Sequence, residues 1–325
     1  MATLSSDNGE KVMPTIMTMG EILVEIMARD TGQSFLAPGT LLGPYASGAP
    51  AIFIDQVARL GHPAAMIGCV GDDDFGRLNT RRLAQDGVDV SAIAVLPDAT
   101  TGSAFVAYQA DGSRDFVFNI SNSASARLGP ELVTPAALAD CGHFHVMGSS
   151  LFSDAIVLAM KKAVQIVKRQ GGSISFDPNI RKEILRSAPM REALRYFLRQ
   201  ADIFLPSGDE LTMLVDAGTE DTAITELLAL GIREIVIKRG AAGASHFSTE
   251  GRIDIRALPA IECDPTGAGD CFGGTFVACR KLGLAPGDAL RYANAAGALA
   301  VGQRGPMEGA ATFDQLHVAL AREKP

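Results

Sequence analysis

The chain has 325 residues, of which 47% are hydrophobic and 20% charged, and its formal net charge is −8. This apolar content suffices for a large buried core, and the length is that of a large α/β fold. The negative charge argues against a nucleic-acid or anionic-membrane surface, which would need a clustered basic face.

The distribution of apolar residues along the sequence bears on the expected compartment. No apolar run reaches the roughly 18 residues of a membrane-spanning helix, and residues 1–14 are polar, without the apolar core of a signal peptide. These features predict a cytoplasmic protein with a disordered extension over residues 1–14 and one domain over 15–325. The cysteines form no CxxC pair and are predicted to be buried thiols; they are Cys69, Cys141, Cys263, Cys271 and Cys279.

The first elements are a strand, an apolar segment and a helix. Residues 15–19 are predicted to form the strand, and residues 22–26 are apolar around one acid, Glu25. The Glu25 side chain either lies on a solvated strand face or points into a cleft. Residues 44–51 lead into a helix over 52–60, which ends at Gly61 in the usual position after a C-cap.

The next segments give a strand, a turn and a hairpin. Residues 64–70 are predicted as a strand, and the three acids at 72–74 are interpreted as a cap and turn, since consecutive side chains do not converge on a metal. Residues 103–119 alternate around a turn at 110–113, which indicates a hairpin. Phe116 and Phe118 fall on one face of its second strand, so an aromatic face could cover a ligand.

Strands and helices then alternate, which predicts βαβ units and a doubly wound, mostly parallel sheet with helices on both faces. Predicted strands cover 143–147, 173–176, 203–206, 234–238 and 252–258, and predicted helices cover 153–170, 190–200 and 287–301. Polar residues follow the strand ends, where parallel sheets carry their sites. His143 and His145 share one strand face and are interpreted as structural.

A stretch of small residues precedes an acid near the end of the chain, at Asp264-Pro265-Thr266-Gly267-Ala268-Gly269-Asp270. We call residues 264–269 the anion loop. The N–H groups of residues 267–269 can turn toward one point, and the helix predicted to follow adds its N-terminal donors and positive dipole end. A phosphoryl group suits such a site, with Asp270 as the acceptor of a proton from an attacking hydroxyl. The alternative is that Asp270 is only a helix N-cap.

The longer string Asp-x-Thr-Gly-Ala-Gly-Asp-x-Phe-Gly-Gly, residues 264–274, resembles the C-terminal signature of the ribokinase-like (PfkB-type) carbohydrate kinases. Residues 44–51 and 71–76 are similar to two further motifs of that family, and no Walker A motif is present. The resemblance implies a ribokinase-like fold with a small β-sheet lid, whose strands lie roughly within 25–45 and 100–120. It also implies ATP-dependent, Mg²⁺-requiring phosphorylation of a primary hydroxyl of a sugar.

The resemblance assigns roles by position. It implies catalytic roles for Asp270, for the anion hole at Gly267, Ala268 and Gly269, and for Arg181, which Asp177 and Asn179 precede in an Asp-x-Asn-x-Arg motif. Substrate contacts are implied for Glu25, Gly48, Ala49, Phe118, Asp177, Asn179 and Asp270. Nucleotide contacts are implied for Lys238, Gly240, Gly243, Thr266, Gly267, Gly269, Asn294 and Ala298. Glu210 is implied to hold Mg²⁺ through water, and carbonyls of Asp264 and Thr266 to hold a monovalent cation such as K⁺.

The chain also departs from the family pattern. Ile52 and Ser207 stand where the family usually has Asn, Ser47 replaces a Gly, and Glu25 replaces an Asp. Tagatose- or fructose-type ketohexose kinases are the nearest resemblance, with 2-keto-3-deoxygluconate kinase and nucleoside kinase as alternatives. A non-catalytic sugar or nucleotide sensor is the opposing class. The resemblance is compatible with a homodimer formed through the lid.

Overall fold

The computed structural model describes residues 13–111, 113–180, 188–208, 210–215 and 217–322. Most of the disordered extension expected over residues 1–14 falls outside these ranges, and so does Arg181. Within them, no helix is long and apolar enough to cross a bilayer.

A ten-stranded sheet runs through the centre of the molecule. Its strand order is β14-β13-β12-β11-β10-β9-β1-β4-β5, with β6 also paired to β4. Pairing is parallel throughout except at one edge, where β12, β13 and β14 are antiparallel. These strands are β1 Thr15–Met19, β4 Ala64–Gly71, β5 Val88–Asp89, β6 Ile93–Leu96, β9 Cys141–Met147, β10 Ser173–Asp177, β11 Ile203–Phe204, β12 Glu234–Lys238, β13 Ala244–Ser248 and β14 Gly251–Ile255.

Helices cover this sheet, and central strands such as β4 and β12 are apolar runs that are buried on both faces. Ile235, Val236 and Ile237 in β12 are each fully buried. The helices are α1 Ala49–Arg59, α2 Asp74–Gln85, α3 Asp154–Arg169, α4 Ala188–Gln200, α5 Glu210–Leu214, α6 Glu220–Ala229, α7 Ala268–Lys281, α8 Pro286–Val301 and α9 Phe313–Ala321. The mostly parallel α/β fold expected from the sequence is confirmed.

A second sheet of four strands lies apart from the first, and we call it the lid sheet. Its order is β3-β2-β7-β8, in which β2 pairs antiparallel with β3 and parallel with β7, while β7 and β8 form the hairpin. The strands are β2 Leu23–Ala28, β3 Leu41–Ser47, β7 Gly102–Tyr108 and β8 Arg114–Asn119. Every residue of β8 is exposed, so one edge of this sheet faces solvent or a ligand.

The helix after the anion loop packs closely against α1 through its small residues. A Cβ added to Gly274 would lie 2.6 Å from the Phe53 carbonyl oxygen, so only glycine permits this approach. The crossing places the first turn of α7 beside α1, which starts directly after Gly48. The packing of α1 against α7 therefore holds the loop before α1 close to the anion loop, and both loops are predicted to contact ligands.

Several local expectations need correction. Helix α1 begins at Ala49 rather than Ile52, because Pro50 occupies the first turn, where its missing N–H costs nothing. Cys263 is exposed, while the other four thiols are buried as expected. Asp73 caps α2 by accepting from the Gly76 N–H at 2.8 Å, in agreement with the capping interpretation.

The paired histidines have a structural setting. His143 Nε2 and His145 Nδ1 lie 2.8 and 2.7 Å from the Ser175 hydroxyl, and burial holds the pKa of both imidazoles well below its usual range. Neutral rings inside a hydrogen-bonded network match the structural interpretation.

Candidate active site

A cavity of about 1090 Å³ lies between the lid sheet and the carboxyl ends of the central strands. Most of the sequence-predicted ligand contacts, although distant in the chain, form its wall. Those that line it are Glu25, Gly48, Ala49, Phe118, Asp177, Asn179, Glu210, Lys238, Thr266, Gly267, Gly269 and Asp270.

The anion loop contains a glycine that the backbone requires. Gly267 is the N-cap of α7 with φ +82°, and a Cβ there would lie 2.3 Å from the Pro306 carbonyl oxygen. The left-handed conformation turns the chain so that the helix starts at Ala268, with its first N–H groups lacking helical partners. An anion at this point would meet those donors and the positive end of the helix dipole.

Asp270 is the third residue of α7, so it is not the cap of that helix, which is Gly267. Its side chain is only 7% exposed and lines the cavity. The Asn179 amide donates to its Oδ1 at 3.3 Å. Asn179 has φ +38°, a left-handed conformation that asparagine tolerates, and its N–H bonds Asp177 Oδ1 at 3.1 Å. This turn aims the amide at Asp270.

Lys238 brings a positive charge beside the loop. It ends β12, forms an ion pair with Asp177, and its Nζ would lie 3.8 Å from a Cβ added to Gly269. Burial lowers the pKa of Lys238, but the nearby Asp177 and Glu210 carboxylates outweigh burial and hold that pKa above its usual value. The ammonium is therefore charged at neutral pH, within reach of an anion on the loop.

Glu210 uses both oxygens to hold the surrounding backbone. Oε1 accepts from the Ile180 N–H and Oε2 from the Ser207 N–H, each at 2.6 Å. Burial raises the pKa of Glu210, and the Asp177 charge adds to that rise. A carboxylate already occupied in this way suits a metal held through water better than a metal bound directly.

The residues fit a divalent ion that is bound mainly by water and phosphate oxygens. Asp177, Glu210 and Asp270 surround one lysine, so carboxylates outnumber cations here. Among the described residues, no group of three or more His, Cys, Asp or Glu side chains is placed to cage a metal. Mg²⁺ commonly keeps several waters and takes few protein ligands, so the arrangement is compatible with it.

Glu25 is a strongly perturbed acid of the cavity wall. It is 3% exposed; its Oε2 accepts weakly from the Ser47 hydroxyl at 3.5 Å, and its Oε1 has no hydrogen-bond partner. Burial raises the pKa of Glu25 to about 7, with the Asp264 charge contributing. A buried, unsatisfied acceptor is costly, and a ligand hydroxyl would relieve that cost.

The lid hairpin supplies the aromatic part of the wall. Phe116 and Phe118 stack with ring centroids 5.1 Å apart and planes 7° from parallel, and both face the cavity. Val117 lies on the opposite face, as alternation along a strand requires. Ile52, which stands in place of a family asparagine, also lines the cavity and packs against Gly267.

Four predicted nucleotide contacts lie outside this cavity: Gly240, Gly243, Asn294 and Ala298. Two of them converge on the Ile255 carbonyl oxygen. The Asn294 amide donates to it at 3.3 Å, and a Cβ on Gly243 would lie 2.1 Å from it. Gly297 in the same helix sits close to the Ala268 carbonyl, so this group borders the start of α7. The amide of Asn294 is thus engaged with backbone.

Sequence reasoning missed two lid contacts with the anion loop. The Tyr108 hydroxyl donates to Asp264 Oδ1 at 2.5 Å, and Arg114 Nη1 donates to Thr266 Oγ1 at 3.2 Å. The Asp264 side chain therefore anchors loops, while the sequence had suggested only its carbonyl as a cation ligand. No spacing signal could reveal these contacts, because they join residues more than 150 positions apart.

Comparison with known proteins agrees with this geometry. Residues 13–312 match the pfkB family carbohydrate kinase profile. Fructokinase-1 of Oryza sativa subsp. japonica is 32% identical over 89% of this chain and 92% of its own length. The 2-dehydro-3-deoxygluconokinase of Thermoproteus tenax is 32% identical over 92% of this chain and 91% of its own.

Solved structures give the same result. An E. coli protein provisionally named ribokinase II, crystallised in complex with ATP and Mg²⁺, is 53% identical with a TM-score of 0.93, over 95% of this chain and all of that one. The profile match spans most of the sequence, and the two sheets correspond to a ribokinase-like fold. The chain therefore belongs to the pfkB family of carbohydrate kinases and is a sugar kinase.

Proposed function

We propose that this sugar kinase transfers the γ-phosphoryl group of ATP to a primary hydroxyl of a ketohexose such as tagatose or fructose. The observation that carries the proposal is the position of Asp270, a nearly buried carboxylate that faces the cavity in the first turn of α7. It stands beside the anion loop and Lys238, where a phosphoryl group and a sugar hydroxyl can meet.

Each part of the reaction has a residue for it. Asp270 accepts the proton of the attacking hydroxyl as the new P–O bond forms and the bond to ADP breaks. The N–H groups of residues 267–269 stabilise the charge on the transferred group, and Lys238 adds a positive charge. Bound Mg²⁺ would supply charge neutralisation on the phosphates, with Glu210 holding its water ligands.

The lid sheet has a chemical purpose in this scheme. ATP in an open site can lose its phosphoryl group to water, so water must be excluded before transfer. Phe116 and Phe118 present a stacked apolar face to the sugar side of the cavity. Glu25 offers its unpartnered Oε1 to a sugar hydroxyl at the same end.

A second substrate class has its own support. The relative in Thermoproteus tenax is named a 2-dehydro-3-deoxygluconokinase, and Arg114 in the cavity wall could pair with the carboxylate of such a sugar acid. For the neutral ketohexose, the support is the likeness to plant fructokinases and the departures at Ser47 and Ile52.

Two further features belong to the proposal. K⁺ held by carbonyls of Asp264 and Thr266 would add a fixed positive charge near the anion loop. A homodimer through the lid is supported by exposed apolar side chains on that sheet, among them Val117 at 49% and Leu41 at 42%. Light scattering of the purified protein at several concentrations measures its oligomeric state.

The experiment is a turnover assay of ATP and Mg²⁺ against a panel of ketohexoses, 2-keto-3-deoxygluconate and nucleosides. We expect one ketohexose to give the highest kcat/KM. Asp270→Asn should lower kcat by about 10²- to 10⁴-fold with ATP affinity kept, since general acid–base catalysis contributes about that much. Full activity of that variant, or binding without turnover by the unaltered protein, would contradict the proposal; the second result would indicate a sensor.

A further inference from the structure

The turn end of the lid hairpin is fastened to the anion loop. Tyr108 is the last residue of β7 and Arg114 the first of β8, and the two are directly paired across the ladder. Directly opposite residues share one face of a sheet. From that face, the Tyr108 hydroxyl reaches Asp264 Oδ1 at 2.5 Å and Arg114 Nη1 reaches Thr266 Oγ1 at 3.2 Å.

Asp264 connects three segments through one carboxylate. It is 1% exposed; Oδ1 also accepts from the Thr266 N–H at 2.9 Å, and Oδ2 accepts from the Gly305 N–H at 3.0 Å. The lid, the anion loop and the 302–309 loop therefore meet at a single buried group. A displacement of the Tyr108 hydroxyl changes the hydrogen bonding of the side chain that shapes the anion loop.

The Tyr108 contact is a bond from a neutral donor to an ionisable acceptor, a type stronger than a bond between neutral groups. Burial and the bond to Asp264 raise the pKa of the Tyr108 hydroxyl, so it remains a donor at neutral pH. A second lid tyrosine packs nearby without this role: the ring Cδ1 of Tyr45 lies 2.7 Å from the position that a Cβ on Gly305 would occupy.

The hairpin also forms part of the cavity wall, through Arg114, Phe116 and Phe118. Any lifting of the hairpin away from the anion loop would separate Tyr108 from Asp264. Release of the lid and relaxation of the anion loop are thus linked by a shared carboxylate.

We propose that Tyr108 is a positioning residue whose hydroxyl, bound to Asp264, holds the lid hairpin closed and joins lid closure to the ordering of the anion loop. The inference rests on the proposed function, since it gives the phosphoryl-transfer site its closing contact. Tyr108 is not part of the cavity wall, so its hydroxyl acts through Asp264.

The first test does not depend on turnover. Hydrogen–deuterium exchange is compared between the full-length protein, Tyr108→Phe and the control Tyr45→Phe, all without ligand. In Tyr108→Phe we expect the amides of 102–108 and 114–119, and the Thr266 and Gly305 amides that bond the Asp264 carboxylate, to exchange about 10- to 100-fold faster, the range expected for a lost hydrogen bond to a charged group. In Tyr45→Phe, whose ring still packs on Gly305, the exchange rates should equal those of the unaltered protein.

The second test is kinetic. With the best sugar of the panel, Tyr108→Phe should raise the sugar KM about tenfold or more. It should also raise the fraction of ATP that is hydrolysed without phosphorylating sugar, because a loosely held lid admits water. A purely structural role would lower the stability of the protein without altering that fraction.

The outcomes separate this inference from the proposed function. Faster exchange confined to the hairpin, Thr266 and Gly305 supports the contact even if no sugar in the panel is phosphorylated. That second result would refute only the proposed substrate. Unchanged exchange in Tyr108→Phe, or equal acceleration in both variants, overturns the inference even if sugar is turned over normally.

Discussion

Glu25→Gln tests the most unusual electrostatic feature of the cavity. The substitution keeps the size of the side chain and removes its ability to ionise. In the folded protein the pKa of Glu25 is about 7, compared with the ordinary 4.5 of an accessible glutamate. At about 1.4 kcal/mol per pKa unit, ionised Glu25 costs the folded state about 3 kcal/mol.

The direction in which stability changes with pH follows from proton binding. Between pH 4.5 and about 7 the folded state keeps a proton that the unfolded chain has lost, so stability falls as the pH rises through this range. Above pH 7 the full cost is present, and below pH 4.5 it vanishes. Glu25→Gln should therefore be up to about 3 kcal/mol more stable than the unaltered protein at pH 8, and equally stable at pH 4.5.

Urea unfolding at pH 4.5, 6 and 8 measures this difference directly. Glu21→Gln is the matched control, because Glu21 is also buried yet accepts hydrogen bonds from the Ser149 and Ser150 hydroxyls. We expect no gain in stability from that control at any pH. A stability difference for Glu25→Gln that stays the same from pH 4.5 to pH 8 would refute the reasoning.

The same variant should lose function as it gains stability. If the ionised carboxylate accepts a sugar hydroxyl, the sugar KM of the unaltered enzyme rises about tenfold per pH unit below 7, and Glu25→Gln removes that dependence. A KM profile that is identical in both proteins would show that Glu25 does not contact the sugar.

Three further predictions concern Gly267, Lys238 and the proposed metal ion. Gly267→Ala should destabilise the protein by about 2 kcal/mol or more and abolish turnover, because a left-handed residue other than glycine costs about 1–2 kcal/mol and the new Cβ meets the Pro306 carbonyl. The stability change is measured by urea unfolding. Gly283→Ala, at a position with φ +86° and open space, is the control for backbone strain alone. Lys238→Met should cost about 3–5 kcal/mol in the same assay by leaving Asp177 charged and unpaired, and adding Asp177→Asn should recover part of that loss. Chelation of divalent ions should stop turnover, and Mg²⁺ should restore it; activity that survives chelation would exclude the proposed role of the metal.

The sequence determined the local elements of this fold. Strand β12 was predicted with its observed ends because Ile235, Val236 and Ile237 form a short apolar run. The hairpin around residues 110–113 and the helix after Gly267 follow from turn residues and small side chains, which act over a few neighbouring positions. Resemblance to the pfkB family, carried by the string around Asp270, then predicted which of these elements share a cavity.

Only the tertiary structure decided how the charges in that cavity are arranged. The pairing of Lys238 with Asp177, the bond from Tyr108 to Asp264 and the shifted pKa of Glu25 each depend on groups far apart in the chain. Burial removes water from these groups, so their energies are set by whichever side chains the fold places beside them. A linear pattern contains neither those neighbours nor that desolvation, which is why identical residue types in another fold would behave differently.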